Sequence, residues 1–220
     1  MAEFTFYTNP MSRGQIARWA LHEAGADYEQ VIIAYGPDQP EAFVKANPMR
    51  KFPTLVHHHA DETGKRHDHV VTEAAAICHY LAEMHPDTGL LPGAHEKADY
   101  FRYLFFAAGP VEQAVVANSM GWSPGDDPQK QGMVGFGSYD RTVDALETML
   151  TGRDYVCGSR FTMADVYVGS QIDWGINFGT LPKRDAFVAY AERLREREAY
   201  KAAKAIDSDL IAEQQQSQDA

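Results

Sequence analysis

The sequence predicts an α/β domain of order βαβ-ββα over residues 1–86, followed by an all-α domain over residues 92–220. Three observations predict it. A strand, a helix and a second strand follow one another within the first 34 residues. A proline then opens a β-branched run that leads through a hairpin into an Ala-rich helix. Beyond Pro92 every patterned segment has the helical period.

Residues 3–8 alternate Phe4 and Phe6 with Thr5 and Tyr7, the period of a strand, and Asn9-Pro10-Met11 is a turn. Residues 13–24 place Ile16, Ala17, Ala20, Leu21 and Ala24 on one helical face, with Gly25 at the position just after a helix end. Residues 28–34 form the second strand, and a crossover helix between two strands implies that they run parallel. A further helix fits residues 39–46. Residues 52–57 and 67–71 pair as a hairpin around Asp61-Glu62-Thr63-Gly64-Lys65, and residues 72–84 form a helix stopped by Pro86.

The second half is read in the same way. Residues 95–118 carry an apolar stripe interrupted by Gly109-Pro110, where a kink is expected. A loop at residues 121–128 precedes a helix reaching about Leu150. Further helices fit residues 163–178, 183–198 and 200–213, and residues 214–220 are expected to be a polar, frayed tail.

Composition narrows the function classes. A formal charge of -11 disfavours nucleic acid and anionic membrane surfaces, both of which demand clustered Lys and Arg. No run approaches the roughly 18 apolar residues of a membrane span, and Met1-Ala2-Glu3-Phe4 leads directly into a strand pattern, so the expectation is a cytoplasmic protein. Cys78 and Cys157 are the only cysteines and form no C-x-x-C, so thiol chemistry here would use a thiol brought by the substrate.

The stretch Asn47-Pro48-Met49-Arg50-Lys51-Phe52-Pro53-Thr54-Leu55-Val56, followed by Val70-Val71-Thr72-Glu73-Ala74-Ala75-Ala76-Ile77, carries the most functional information. Pro53 cannot donate to a ladder, so it belongs at a strand's first residue, and its place before Thr54 predicts a cis bond. With the Phe52 N–H and C=O turned outward, an extended peptide can pair as an added strand. This combination resembles the glutathione-binding half of the cytosolic glutathione transferases, most closely the bacterial type. What the resemblance implies is a thioredoxin-like first domain and a homodimer. It also implies glutathione as co-substrate, with no metal, and conjugation of the glutathione thiolate to an electrophilic carbon of a small hydrophobic compound in detoxification.

By that resemblance Lys51, Phe52, Pro53, Thr72, Glu73 and Ala74 bind glutathione, with Glu73 meeting its amine. The family usually places a Ser where this sequence has Ala74, so charge pairing and backbone N–H groups at the helix start must carry more of the recognition. Met11-Ser12 resembles the loop of serine-type transferases, which set a hydroxyl against the glutathione sulfur. Ser12-Arg13-Gly14-Gln15 also reads as a capping box, and a hydroxyl with one donor and two acceptor sites can fill both roles. Tyr7, at the end of the first strand, is the alternative hydroxyl, although a Tyr in that place also suits a half-buried sheet position, and Asn9 is the third candidate. The sequence leaves open which of these points at the sulfur.

In the helical half, Tyr100, Phe101, Tyr103, Leu104, Phe105 and Phe106 are too aromatic for a solvated face, and most belong to core or subunit interface. By resemblance one edge walls an apolar electrophile pocket, for which Tyr103, Phe106, Pro110, Trp174 and Phe178 are the candidates. Phe161-Thr162-Met163-Ala164-Asp165-Val166 reads as a structural capping box of Thr162 and Asp165 with a Phe161–Val166 staple, and it resembles the family's Thr-x-x-Asp motif. His57, His58, His59, His67 and His69 crowd one hairpin, yet strand alternation lets only a subset converge, so a solvated hairpin is expected rather than a metal site. Two rival functions keep the same chemistry or fold: a glutathione-dependent lyase, dehalogenase or isomerase, and a catalytically silent binding or interaction protein.

Overall fold

The computed structural model describes residues 2–218, which divide into two compact units. The first comprises the residues up to Thr88 together with those from Arg197 onward, and the second is Gly89–Glu196.

The first unit is built on a four-stranded mixed sheet of order β2-β1-β3-β4, from β1 (Phe4–Thr8), β2 (Tyr28–Ile32), β3 (Thr54–Ala60) and β4 (Arg66–Thr72). Strand β1 runs parallel to β2 and antiparallel to β3, and β3 and β4 form the hairpin. Helices α1 (Gly14–Ala24), α2 (Glu41–Ala46) and α3 (Ala74–Met84) complete the βαβ-ββα order of a thioredoxin-like domain. The alternation in β1 has its expected consequence. Phe4 and Phe6 are fully buried, with Phe6 under the Arg18 guanidinium of α1, while Tyr7 joins the cluster of Ile33, Phe43 and Phe52 around α2. Gly25 closes α1 at φ 61°, a left-handed conformation that favours glycine.

The last helix, α10 (Glu198–Gln218), was expected to belong to the helical half. It packs on α1 instead. Buried Arg18 donates to Asp207 at 2.9 Å, Arg197 spans both oxygens of Glu23 at 2.6 and 2.7 Å, and Tyr200 meets Trp19 edge-on. The helix also continues through part of the stretch expected to fray, since its i to i−4 bonds carry on to Gln218. Asp219 and Ala220 lie outside the described residues.

The second unit contains α4 (Lys97–Phe106), α5 (Glu112–Ser119), α6 (Pro128–Met133), α7 (Tyr139–Leu150), α8 (Met163–Phe178) and α9 (Asp185–Arg195). The Gly109-Pro110 kink takes the form of a π-helical turn, Ala107–Val111, between α4 and α5. Such a turn suits a proline, which brings no N–H to the ladder. The single helix expected between the 121–128 loop and about Leu150 is two, α6 and α7, separated by non-helical residues 134–138, and Asp127 caps α6 by accepting from the Gln129 and Lys130 N–H groups. The core of the unit is α8, buried along most of its length, and Gly169 lets α9 approach it, since an added Cβ would overlap Leu194.

Asp165 is the organising polar group of this unit. Its fully buried carboxylate accepts from the Thr162 N–H and hydroxyl, the Val156 N–H and the Tyr190 hydroxyl at 2.7–3.0 Å. Burial pushes its carboxyl above the ordinary value, and the four donors oppose that shift. The expected capping box is present and reaches further than the sequence indicates, to α9 and to the loop before α8.

Candidate functional site

The sheet register brings three segments to one edge. Tyr7 pairs with Thr54, and Thr54 pairs with Thr72, so the end of β1, the start of β3 and the end of β4 lie side by side. The loop holding Asn9 and Ser12, the Phe52-Pro53 step and the Glu73-Ala74 step therefore all leave the sheet at the same edge. Two helix N-termini, those of α1 and α3, begin there as well.

Ser12 is buried. Its hydroxyl donates to the Asn9 C=O at 2.6 Å and accepts from the Gly14 N–H at 2.9 Å. The expected capping box does not form, because Gln15 reaches past Ser12 to donate to the Pro10 C=O at 2.6 Å. Arg13 takes the cap position of α1 with helical φ and ψ and no capping side chain. Gly14 is required by the close approach of β1 and α1, since an added Cβ would overlap Thr8 Oγ1 and stand 3.0 Å from the Ser12 hydroxyl.

Asn9 is a positioning residue for this loop. Its amide nitrogen donates to the Ile33 C=O at 2.8 Å and its oxygen accepts from the Met11 N–H at 2.9 Å, tying the loop to the end of β2. The Tyr7 ring packs, tilted, 5.6 Å from that of Phe43, within the apolar cluster on the α2 face.

The Phe52–Pro53 bond is cis, as the sequence predicts. Phe52 precedes the ladder, and among the described residues its N–H and C=O make no backbone hydrogen bond. Sequence reasoning missed what holds this segment. Buried Asn47 donates to the Lys51 C=O at 3.0 Å and to Thr54 Oγ1 at 2.9 Å, and accepts from the Met49 N–H at 3.0 Å. The signal was there, since an Asn opening a proline turn binds its own backbone two residues on. Lys51 itself is exposed.

Glu73 occupies the cap position of α3 at φ 66°, ψ 116°, a positive φ uncommon outside glycine, and its exposed side chain makes no cap to the helix. Backbone outliers of this kind concentrate at ligand clamps. The first hydrogen bond of α3 runs from the Ile77 N–H to the Glu73 C=O, so the Ala74, Ala75 and Ala76 N–H groups have no partner within the helix. Ala74 is buried, and Thr72 is half-buried at the end of β4.

The aromatic candidates of the second unit divide by burial. Tyr103 is core, buried with the Arg153 guanidinium 5.4 Å from its ring. Phe106 and Pro110 are half-buried, and Trp174 meets exposed Phe178 edge-on at 6.0 Å. The side chains that α4 turns to solvent are instead Phe101 and Phe105, stacked at 6.3 Å.

His57, His59, His67 and His69 share one face of the hairpin, because His57 pairs with His69 and His59 with His67. Their rings lie 4.7–6.2 Å apart, while His58 points the other way to Thr5 and Asp68. Among the described residues no group of three or more His, Cys, Asp or Glu is arranged to hold a metal ion. Burial, and then the neighbouring imidazoles, hold the His57 pKa below its ordinary value.

The glutathione S-transferase N-terminal domain model matches residues 2–83, and the C-terminal domain model matches residues 105–174. Glutathione S-transferase 2 of Schizosaccharomyces pombe is 29% identical over 193 residues, which cover 82% of this chain and 78% of that protein. A solved glutathione transferase from Methylococcus capsulatus superposes with a TM-score of 0.71 at 24% identity, covering 93% of this chain and 98% of its own. A sphingomonad glutathione S-transferase complexed with glutathione gives 0.68 at 25% identity with the same coverage. Fold and matches together define an enzyme class, a thioredoxin-like domain combined with a helical unit. The chain belongs to the glutathione S-transferase family.

Proposed function

We propose that the protein binds glutathione at the sheet edge carrying Ser12, Phe52 and Glu73, and conjugates its thiolate to an electrophilic carbon of a small hydrophobic compound. The observation that carries this reading is the convergence there of an unpaired backbone step, an uncapped carboxylate and a buried hydroxyl. The Phe52 N–H and C=O receive the cysteinyl backbone as an added strand. Glu73 pairs with the glutathione amine, and the free N–H groups opening α3 receive the γ-glutamyl carboxylate.

The Ser12 hydroxyl then turns from the Asn9 C=O to donate to the sulfur. A free thiol with a pKa of about 8.5 is only a few per cent thiolate at neutral pH. A hydrogen bond to a charged acceptor contributes roughly 1.5–3 kcal/mol, and ~1.4 kcal/mol corresponds to one pKa unit, so one such bond brings the thiol to about 7. The thiol proton leaves to water. The sulfur lone pair forms the C–S bond as the leaving group departs, or as the adjacent carbon of an activated alkene takes up a proton.

The same reading makes the protein a cytoplasmic homodimer of bacterial type acting in detoxification. Support for a subunit interface comes from the exposed Phe101 and Phe105 on α4. Retention on immobilised glutathione together with turnover of a chloro-nitroaromatic tests the proposal. Retention without turnover favours a lyase, dehalogenase, isomerase or binder, and neither favours the silent protein.

A further inference from the structure

Within the first unit, an ammonium group from far along the chain is tied to the Ser12 loop. Lys204 of α10 donates to Gln15 Oε1 at 2.6 Å, and the Gln15 amide nitrogen donates to the Pro10 C=O at 2.6 Å. One amide thus joins a cation 189 residues away to the turn that carries Ser12. Pro10 is buried and Lys204 and Gln15 are half-buried, so both bonds are partly shielded from water. A cation on the oxygen of an amide polarises it and strengthens the bond its nitrogen donates, so the two contacts reinforce each other. Lys204 also acts on Asp207 of its own helix, the partner of Arg18 on α1, and stands 5.5 Å from the Tyr200 ring.

The residue types of Ser12-Arg13-Gly14-Gln15 offer Gln15 a competing place, folded back on the Ser12 N–H as in a capping box. The Ser12 N–H donates instead to the Asn9 C=O at 3.1 Å, and Gln15 is drawn away to Lys204. Resting on the proposed glutathione reading, we infer that Lys204 is a positioning residue for the reaction, which acts through Gln15 to hold the Ser12 loop in the arrangement from which the Ser12 hydroxyl reaches the sulfur. The loop is then tied on two sides, by Asn9 to the end of β2 and by Gln15 to α10. Without the Lys204 ammonium, Gln15 is free to take the capping position, and the loop loses its tie to α10.

Thiolate absorbance of bound glutathione, followed against pH with a thermal melt for each variant, tests this without requiring turnover. Lys204→Met and Gln15→Met should each raise the pKa of the bound thiol by about half a unit to one unit, less than Ser12→Ala does. Glutathione affinity at about pH 5.5, where the bound thiol stays protonated, should be unchanged in both. The double variant should move the curve no further than either single one, because both cut the same relay. Lys204→Arg, which keeps the charge and a donor, should keep the wild-type curve. So should Lys201→Met, which removes an exposed ammonium from the same helix. A curve unmoved in the single variants, even with a lowered melting temperature, overturns the positioning role, and an equal shift in Lys201→Met does the same. Shifts that add in the double variant overturn the path through Gln15. If Lys204→Met fails to fold, an unmoved curve in Gln15→Met is decisive. Failure of glutathione to bind the wild type overturns the underlying functional reading, whereas binding with variants that match the wild type overturns this inference alone.

Discussion

Ser12 and Glu73 put opposite demands on their surroundings. Ser12 is buried with its one proton committed to the Asn9 C=O, so donation to a thiolate means exchanging a neutral acceptor for a charged one, which is favourable because charge-assisted bonds are about twice as strong. Thiolate absorbance followed against pH should therefore give bound glutathione a pKa of about 7 in the wild type, and one about one to two units higher in Ser12→Ala. Tyr7→Phe should leave the curve in place, since the Tyr7 ring belongs to the Phe43 cluster. A shifted curve in Tyr7→Phe alone would transfer the role to Tyr7. Glu73 is exposed, caps nothing and sits at positive φ, so its carboxylate is free to bind. Glu73→Gln should raise the Kd for glutathione about tenfold, or ~1.4 kcal/mol, by calorimetric titration, and an unchanged Kd would remove Glu73 from the site.

At the scale of elements, α1 meets β1 through a glycine. An added Cβ at Gly14 would overlap Thr8 Oγ1 and crowd the Ser12 hydroxyl, so Gly14→Ala should lose about 1–3 kcal/mol in urea unfolding and weaken glutathione binding in parallel. Removing the Thr8 hydroxyl in a Thr8→Ala background should recover part of that loss. Full stability in Gly14→Ala alone would show that the loop gives way freely. Here the sequence was misleading in an instructive way: Ser12 through Gln15 has the residue types of a capping box, but the Gln15 amide donates to the Pro10 C=O instead. At Thr162 and Asp165 the same kind of pattern was reliable, because the carboxylate is buried where other donors converge on it.

For the first unit as a whole, the Arg18–Asp207 pair joins elements 189 residues apart, with both side chains almost wholly buried. Burial raises the Asp207 pKa, and Arg18 opposes the shift. Breaking such a pair from one side strands a buried charge, so Asp207→Ala should lose about 3–5 kcal/mol in urea unfolding, while Arg18→Met with Asp207→Leu should stay near the wild type. A small loss in the single variant would mean that α10 is held chiefly by its other contacts. Two desolvated histidines make acid weaken the fold, while the raised carboxyls of Asp165 and Asp207 act in the opposite sense. Desolvation lowers the folded pKa of His57 and of His22, so below the unfolded value of 6.5 the unfolded chain binds more protons than the native one. The contribution of these two histidines is then full above pH 6.5 and falls as the pH drops below it. His22→Gln with His57→Gln should remove this contribution, and a urea midpoint whose change between pH 7 and 5 is the same in that variant as in the wild type would contradict it.

The sequence by itself determined the βαβ-ββα order of the first domain, the cis step before β3 and the cap at Thr162 and Asp165, because each is written in side-chain period or in residues a few positions apart. The convergence of Ser12, Phe52 and Glu73 was legible only through resemblance, since register rather than spacing brings them to one edge. Tertiary structure alone decided that α10 belongs with α1, that Asn47 braces the Phe52 segment, that four histidines share a face, and that Tyr103 is core while Phe105 is not. Periodicity states which face of an element is apolar. Which partner covers that face depends on ion pairs and packing between residues far apart in the chain, and no local pattern encodes them.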